Sequence, residues 1–94
     1  MANRVYRLNP IEKGRNDPRW AATSLKEGCW VRAESEVLAR KTVEVATIAI
    51  AAGQSLYSPW IDPELTSCDV DSNPPGNIPR GVVLTEGGRT LPNR

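Results

Sequence analysis

The residue types that most often perform catalysis or bind metal ions are scarce in this chain. Its 94 residues include no histidine. A serine or cysteine nucleophile therefore has no imidazole base, and a zinc site would have only Cys29 and Cys68 as thiolate ligands. We therefore expect a protein that is not an enzyme and that needs no cofactor and no small-molecule substrate.

Two short stretches have spacings that resemble ligand-binding loops. The run 69–73 (Asp-Val-Asp-Ser-Asn) has the oxygen-ligand spacing that opens a calcium loop, but Pro74 stands where that loop needs glycine. The run 86–89 (Glu-Gly-Gly-Arg) combines glycine with a cation but lacks the spacing of a phosphate-binding loop. A polar turn at a strand end accounts for the first run and a flexible tail for the second, so we predict no metal site.

The N-terminal third is basic. Residues 1–32 contain seven Lys or Arg and three Asp or Glu, residues 33–71 contain two and seven, and residues 72–94 contain three and one. The basic third also holds Tyr6, Trp20 and Trp30, and cations beside stacking rings are typical of proteins that bind single-stranded nucleic acid. However, the net charge is only +1 and no motif of a nucleic-acid-binding module is present. Nucleic-acid binding is therefore our second hypothesis.

Protein recognition is the hypothesis that the sequence favours. Trp and Arg are the residue types that most often anchor protein interfaces. The candidate contact residues are Tyr6, Arg7, Trp20, Trp30, Arg32 and Trp60. The alternatives are that the loop of Trp20 covers Trp30 and that Trp60 closes the end of a helix as a core residue. We expect the partner to be another protein or a second copy of the chain.

A strand that leads directly into a helix positions several of these residues. Cys29, Val31 and Ala33 alternate with Trp30, Arg32 and Glu34, a pattern typical of a half-buried strand. This alternation turns Trp30 and Arg32 away from the helix, and it allows Arg7 on a neighbouring strand to share their face. Ser35 is predicted to cap a helix that begins at Glu36 and stops at Gly53.

The predicted helix has two adjoining apolar faces. The first consists of Leu38, Thr42, Val45, Ala46 and Ala49, and the second of Ala39, Val43, Ala46 and Ile50. The charged residues Glu36, Arg40, Lys41 and Glu44 lie mostly opposite. We expect the apolar side to pack on the sheet and the charged side to face solvent.

Three further stretches favour extended structure, namely 4–8, 66–71 and, more weakly, 81–85. The sequence therefore predicts a two-layer α+β fold, with a small antiparallel or mixed β-sheet of three to four strands and one long helix packed on one face. Residues 1–73 are expected to form a single compact domain. Residues 74–94 form a Pro/Gly-rich C-terminal segment with room for one short strand before a mobile tail.

The location of the protein is inferred from what the sequence lacks. No apolar run approaches the ~20 residues that cross a bilayer, and no secretory leader is recognisable. We therefore expect no membrane association and a cytoplasmic protein, in which Cys29 and Cys68 are reduced thiols on inward strand faces. A disulfide between them and a reactive thiol are the alternatives. The resulting hypothesis is a small accessory protein of bacterial or phage type.

Overall fold

Five strands and one α-helix make up the described part of the chain, residues 4–48 and 58–92 of a computed structural model. The strands are β1 (Arg4–Pro10), β2 (Cys29–Ala33), β3 (Thr66–Val70), β4 (Val82–Thr85) and β5 (Thr90–Pro92), and the helix is α1 (Glu36–Thr47). Short 3-10 helices lie at Glu12–Gly14, Pro18–Ala22 and Pro59–Ile61.

The strands form one sheet in the order β3-β1-β2-β4-β5, and every neighbouring pair is antiparallel. Since β1 is antiparallel to both β2 and β3, those two strands run in the same direction with β1 between them. The predicted α+β fold with one helix on one face is confirmed, but the sheet has five strands rather than three to four. The extra strand is β5, whose three residues are too few to show an alternating pattern.

The core lies between the sheet and α1. It is built from Tyr6, Leu8, Trp20, Leu25, Cys29, Val31, Ala33, Ala39, Val43, Trp60 and Val83. The alternation predicted for β2 is confirmed, because Cys29, Val31 and Ala33 are buried and the residues between them only partly so. Burial of this apolar surface, at about 25 cal/mol per Å², is the main force that holds α1 on the sheet.

The helix begins where the sequence predicts. Ser35 precedes α1 in an extended conformation, and its hydroxyl accepts a hydrogen bond from the backbone N–H of Leu38 at 3.2 Å. The predicted stop at Gly53, the inward positions of Ala49 and Ile50, and the connector residues 54–57 lie outside the described residues.

The orientation of α1 differs from the prediction. Its buried residues are Ala39, Arg40, Val43 and Thr47. Leu38 and Val45, which we expect in the core, are 48% and 38% exposed. The cause is Arg40, whose guanidinium donates to the carbonyl oxygens of Trp60 at 3.2 Å and of Thr66 at 3.1 Å. The predicted outward position of Arg40 and the inward positions of Leu38 and Val45 are therefore wrong.

The C-terminal segment supplies β4 and β5, which are joined by a turn at residues 86–89. In this turn Gly88 has a φ of +85°, and the N–H of Thr85 donates to the carbonyl oxygen of Arg89 at 2.8 Å. Whether residues 1–73 fold without this segment stays a prediction. No helix in the described ranges is long and apolar enough to cross a membrane.

Candidate protein-interaction face

One side of the sheet faces away from α1, and we call it the helix-free face. By strand register its residues include Val5, Arg7, Asn9, Trp30, Arg32, Ser67, Asp69, Val82, Leu84 and Thr90. Arg7 lies between Trp30 on β2 and Asp69 on β3. The prediction that Arg7, Trp30 and Arg32 share the outer sheet face is confirmed.

Arg7 and Trp30 form a stacked pair on this face. The guanidinium carbon of Arg7 lies 4.0 Å from the centroid of the Trp30 ring. Within the described part of the chain, the Nη1 atom of Arg7 is buried without a hydrogen-bond partner. A cation over an indole face gains about 0.5–2 kcal/mol, so the stack offsets part of the cost of dehydrating this nitrogen.

Glu86 holds the guanidinium of Arg7 in place. Its Oε2 accepts from Nη2 of Arg7 at 2.5 Å, and its Oε1 accepts from the backbone N–H of Gly28 at 2.8 Å. The hydrogen bond from Arg7, which has the larger effect, and the hydrogen bond from Gly28 hold the pKa of Glu86 below its usual value. The carboxylate is therefore charged at neutral pH and fixes the direction of the arginine.

Asp71 holds the other member of the pair. Its Oδ2 accepts from Nε1 of Trp30 at 2.9 Å, and its Oδ1 accepts from the backbone N–H of Asn73 at 2.9 Å. The hydrogen bond from Asn73, followed by that from Trp30, lowers the pKa of Asp71. Asp71, which lies in the run 69–73 that resembles a calcium loop, thus orients the indole of Trp30.

One end of the helix-free face is covered by the segment 71–81, which joins β3 to β4. The N–H of Asp71 donates to the carbonyl oxygen of Val5 at 2.8 Å, and Nε of Arg32 donates to the carbonyl oxygen of Ile78 at 2.7 Å. Ile78 is only 2% exposed and Val5 only 7%. The part of the face that remains open is therefore centred on the stacked pair, and Arg32 lies at its covered end.

Three of the six candidate contact residues lie in the core. Tyr6, Trp20 and Trp60 are 7%, 6% and 0% exposed. The ring of Trp60 meets that of Trp20 edge to face with 5.6 Å between centroids. Its Nε1 donates to Oγ1 of Thr23 at 3.1 Å and to the carbonyl oxygen of Leu25 at 3.2 Å. Of the six candidate residues, Arg7, Trp30 and Arg32 therefore remain partly exposed, and these three rings do not.

Both cysteines are free and face the helix side of the sheet. Cys29 is fully buried, and burial raises its pKa to about 12. Cys68 is partly buried, and burial raises its pKa to about 11. A protonated thiol is a poor nucleophile, so the surroundings of both residues favour packing over reactivity.

Two other features of the described residues, 4–48 and 58–92, bear on the presence of a ligand site. No group of three or more His, Cys, Asp or Glu side chains there could hold a metal ion. A groove of about 460 Å³ is lined by Lys13, Gly14, Asp17, Arg19, Glu64 and Leu65. Its arginine is paired with Asp17 at 3.1 Å and with Asp62, and the hydrogen bond from Arg19 lowers the pKa of Asp17. These pairs account for the charges of Asp17 and Arg19 without a ligand.

Sequence reasoning missed the two carboxylates that build the candidate site. Glu86 is 79 residues from Arg7, and Asp71 is 41 residues from Trp30. The alternation of residues 66–71 shows only which strand residues point outward. Contacts over such separations depend on strand order and register, which no local pattern specifies.

The chain was also compared with known proteins. No protein-family model, curated protein or solved structure matches it.

Proposed function

We propose that this protein acts without enzymatic activity by binding another protein through the open part of the helix-free face. Arg7 and Trp30 are the central contacts, and Arg32 lies at the covered end. The observation that carries the proposal is the stacked Arg7–Trp30 pair, which is only partly buried and is held from both sides by carboxylates. We place this function in the cytoplasm, as the sequence suggests.

Arg and Trp are enriched among the residues that dominate binding energy. Holding a flexible side chain still on binding costs about 0.5–1.5 kcal/mol. The hydrogen bonds from Arg7 to Glu86 and from Trp30 to Asp71 restrict both side chains before a partner arrives. This arrangement supports a binding role because most of that entropic cost has already been met in the free protein.

The cross-strand neighbours of the pair indicate what a partner must present. Leu84 lies opposite Trp30 on β4 and is partly buried, whereas Asp69 lies opposite Arg7 on β3 and is exposed. An apolar centre with a charged rim is typical of protein interfaces. A protein segment with an apolar side chain for Leu84 and Trp30, and a cation near Asp69, fits this surface.

Nucleic-acid binding by the basic N-terminal third is the alternative, and several of its cations already have internal partners. Arg7 pairs with Glu86, Arg15 lies 3.9 Å from Glu12, and Arg19 pairs with Asp17. Paired cations release fewer counterions when they meet a phosphate backbone. Protein binding is therefore the function that we put forward first.

The test is a quantitative capture experiment with the tagged full chain. Bound proteins are compared between the wild type, Trp30→Ala and Asp69→Lys, and Glu12→Gln is the control because the Glu12 side chain, in the short 3-10 helix Glu12–Gly14, is 95% exposed. Asp69→Lys changes an exposed side chain, so it leaves the fold intact even if Trp30→Ala does not. We expect a partner that the control retains and that both variants lose by at least about tenfold, a change of about 1.4 kcal/mol.

Two results would contradict the proposal. The first is a set of captured proteins that is the same for all four chains. The second is tight binding of single-stranded DNA or RNA whose affinity falls steeply with salt, since this would assign the function to the basic third. Acrylamide quenching gives an independent check, because a bound partner must shield the indole of Trp30 while Trp20 and Trp60 are already buried.

A further inference from the structure

We propose that the free edge of β3 binds a basic, extended segment of another protein, which joins the sheet as a further strand antiparallel to β3. This site goes beyond the helix-free face, because it is formed by backbone groups at the side of the sheet. Since β3 stands at the end of the strand order, only β1 pairs with it among the described residues. We call the outward N–H and C=O groups of Cys68 and Val70 the β3 edge.

The hydrogen bonds of the β1–β3 ladder determine which groups face outward. The N–H of Asp71 donates to the carbonyl oxygen of Val5 at 2.8 Å, so these residues form a hydrogen-bonded pair. Such pairs recur at every second residue of an antiparallel ladder, so Asp69 also bonds to β1, whereas Cys68 and Val70 direct their backbone groups away from it. In the ranges 4–48 and 58–92 no residue bonds to these four groups.

Thr66 marks one end of the β3 edge. Its N–H donates to the carbonyl oxygen of Asp62 at 3.0 Å, and its own carbonyl oxygen accepts from Nη2 of Arg40 at 3.1 Å. Beyond it Val70 is 50% exposed and Cys68 is only partly buried. Because backbone N–H and C=O groups are strong hydrogen-bonding groups, an added strand gains up to four hydrogen bonds here.

The β3 strand has few of the features that prevent strand addition. Its residues, Thr-Ser-Cys-Asp-Val, include no proline, glycine or lysine, and its register with β1 is continuous, without a bulge. At the other end of the described sheet Thr90 and Pro92 of β5 face outward, and Pro92 has no N–H to donate. Strand addition is an established mode of peptide recognition, and β3 is the edge that suits it better.

Asp69 determines the charge of the added segment. Its side chain is exposed on the helix-free face, and Arg7, opposite it on β1, pairs with Glu86 instead. Residues 61–79 contain four Asp or Glu and no Lys or Arg. On an added strand the residue facing Asp69 belongs to a non-hydrogen-bonded pair, with the Cα atoms about 4.5 Å apart. A Lys or Arg at that position is favoured, because opposite charges on facing residues stabilise a sheet.

The same carboxylate disfavours a second copy of the chain at this edge. If two β3 strands exchanged all four outward groups, the two-fold axis would place Asp69 directly opposite Asp69 of the second copy. Like charges at facing positions destabilise a strand pair. The edge therefore favours a basic segment of a different protein.

A short synthetic peptide tests the proposal. The peptide is Thr-Val-Lys-Val-Thr with an acetylated N-terminus and an amidated C-terminus. In the proposed register its valines face Cys68 and Val70 and its lysine faces Asp69. Four backbone hydrogen bonds and one exposed ion pair support only weak binding, with a dissociation constant on the order of 0.1 to 1 mM. Titration of the ¹⁵N-labelled full chain, followed by amide chemical shifts, measures this affinity.

Matched peptides separate backbone pairing from charge. N-methylation of both valines removes the N–H groups that donate to Cys68 and Val70, and it should weaken binding at least about tenfold. N-methylation of the lysine removes an N–H that points away from β3, and it should change the affinity less than about threefold.

A charge exchange tests the role of Asp69. Replacing the peptide lysine by glutamate, or Asp69→Lys in the protein, should each weaken binding about fivefold, and the two changes together should restore it. Glu12→Lys, a matched charge reversal at a side chain that is 95% exposed, should have little effect. Circular dichroism checks that both variants fold.

The position of the shifts distinguishes this site from the helix-free face. We expect the amides of Cys68 and Val70 to shift most and to become protected from hydrogen exchange. The proposal is overturned by an absence of binding at about 5 mM peptide, or by equal affinity of the peptide with N-methylated valines. Shifts of the two amides that depend on protein concentration without peptide would assign the edge to a second copy. Shifts centred on Arg7 and Trp30 would overturn the edge site while supporting the proposed function.

Discussion

Arg40→Ala should destabilise the protein more than most other single substitutions on the side of α1 that faces the core. Its guanidinium is buried, and it donates to the carbonyl oxygen of Trp60 at 3.2 Å, to Oγ1 of Thr66 at 2.8 Å and to the carbonyl oxygen of Thr66 at 3.1 Å. It also pairs with Glu36 at 2.9 Å. One side chain therefore joins α1 to the 3-10 helix Pro59–Ile61 and to β3.

The magnitude follows from what the truncation leaves behind. In Arg40→Ala three buried acceptor positions on Trp60 and Thr66 lose their donor, and each such loss costs about 1–3 kcal/mol. The dehydration cost of the guanidinium is recovered, which reduces the total. We expect a loss of about 3–5 kcal/mol, a large part of the 5–15 kcal/mol that stabilises a typical domain.

Chemical denaturation followed by tryptophan fluorescence measures this loss. The control is Lys41→Ala on the next residue, where the side chain is 65% exposed and the change should cost less than about 0.5 kcal/mol. Glu36→Gln should cost less than about 1 kcal/mol, because Glu36 is 53% exposed and its pair with Arg40 is screened by water.

The same measurements distinguish two orientations of the helix. Leu38→Ser should cost less than about 1 kcal/mol if Leu38 faces solvent, as the structure has it, and about 2–5 kcal/mol if that face packs on the sheet. The reasoning is refuted if Arg40→Ala costs no more than Lys41→Ala while Leu38→Ser strongly destabilises the protein.

Two further predictions concern a glycine and a buried thiol. Gly81 has a positive φ of +83°, whereas the φ of Gly76 is not positive, and a Cβ added at either position would meet no neighbour. Gly81→Ala should therefore lower the free energy of unfolding by about 1–2 kcal/mol, while Gly76→Ala should change it little. Equal denaturation midpoints for these variants would contradict the backbone assignment. Because burial raises the pKa of Cys29 from 9.0 to about 12, the folded state holds the thiol proton more tightly than the unfolded state. The stability that the buried thiol contributes should therefore be fully present below pH 9 and should fall as the pH rises towards 12. The free energy of unfolding should decline less over this range in Cys29→Val than in the wild type. Identical pH profiles for the two proteins would show that Cys29 does not cause the decline.

The sequence predicts those elements whose signals are local. Alternation over residues 29–34 shows which residues of β2 are buried, and the hydroxyl of Ser35 marks the start of α1. The outward position of Trp30 follows from the same alternation. Each of these features depends on residues only a few positions apart, so the pattern contains the necessary information.

The orientation of α1 could not be predicted in this way. The helix has two adjoining apolar faces of similar size, and the choice between them depends on Arg40, whose acceptors lie 20 and 26 residues away. A charged side chain on a helix is normally solvated, so sequence reasoning placed it outside. The burial of Arg40 turns Leu38 and Val45, which we assigned to the core, towards solvent.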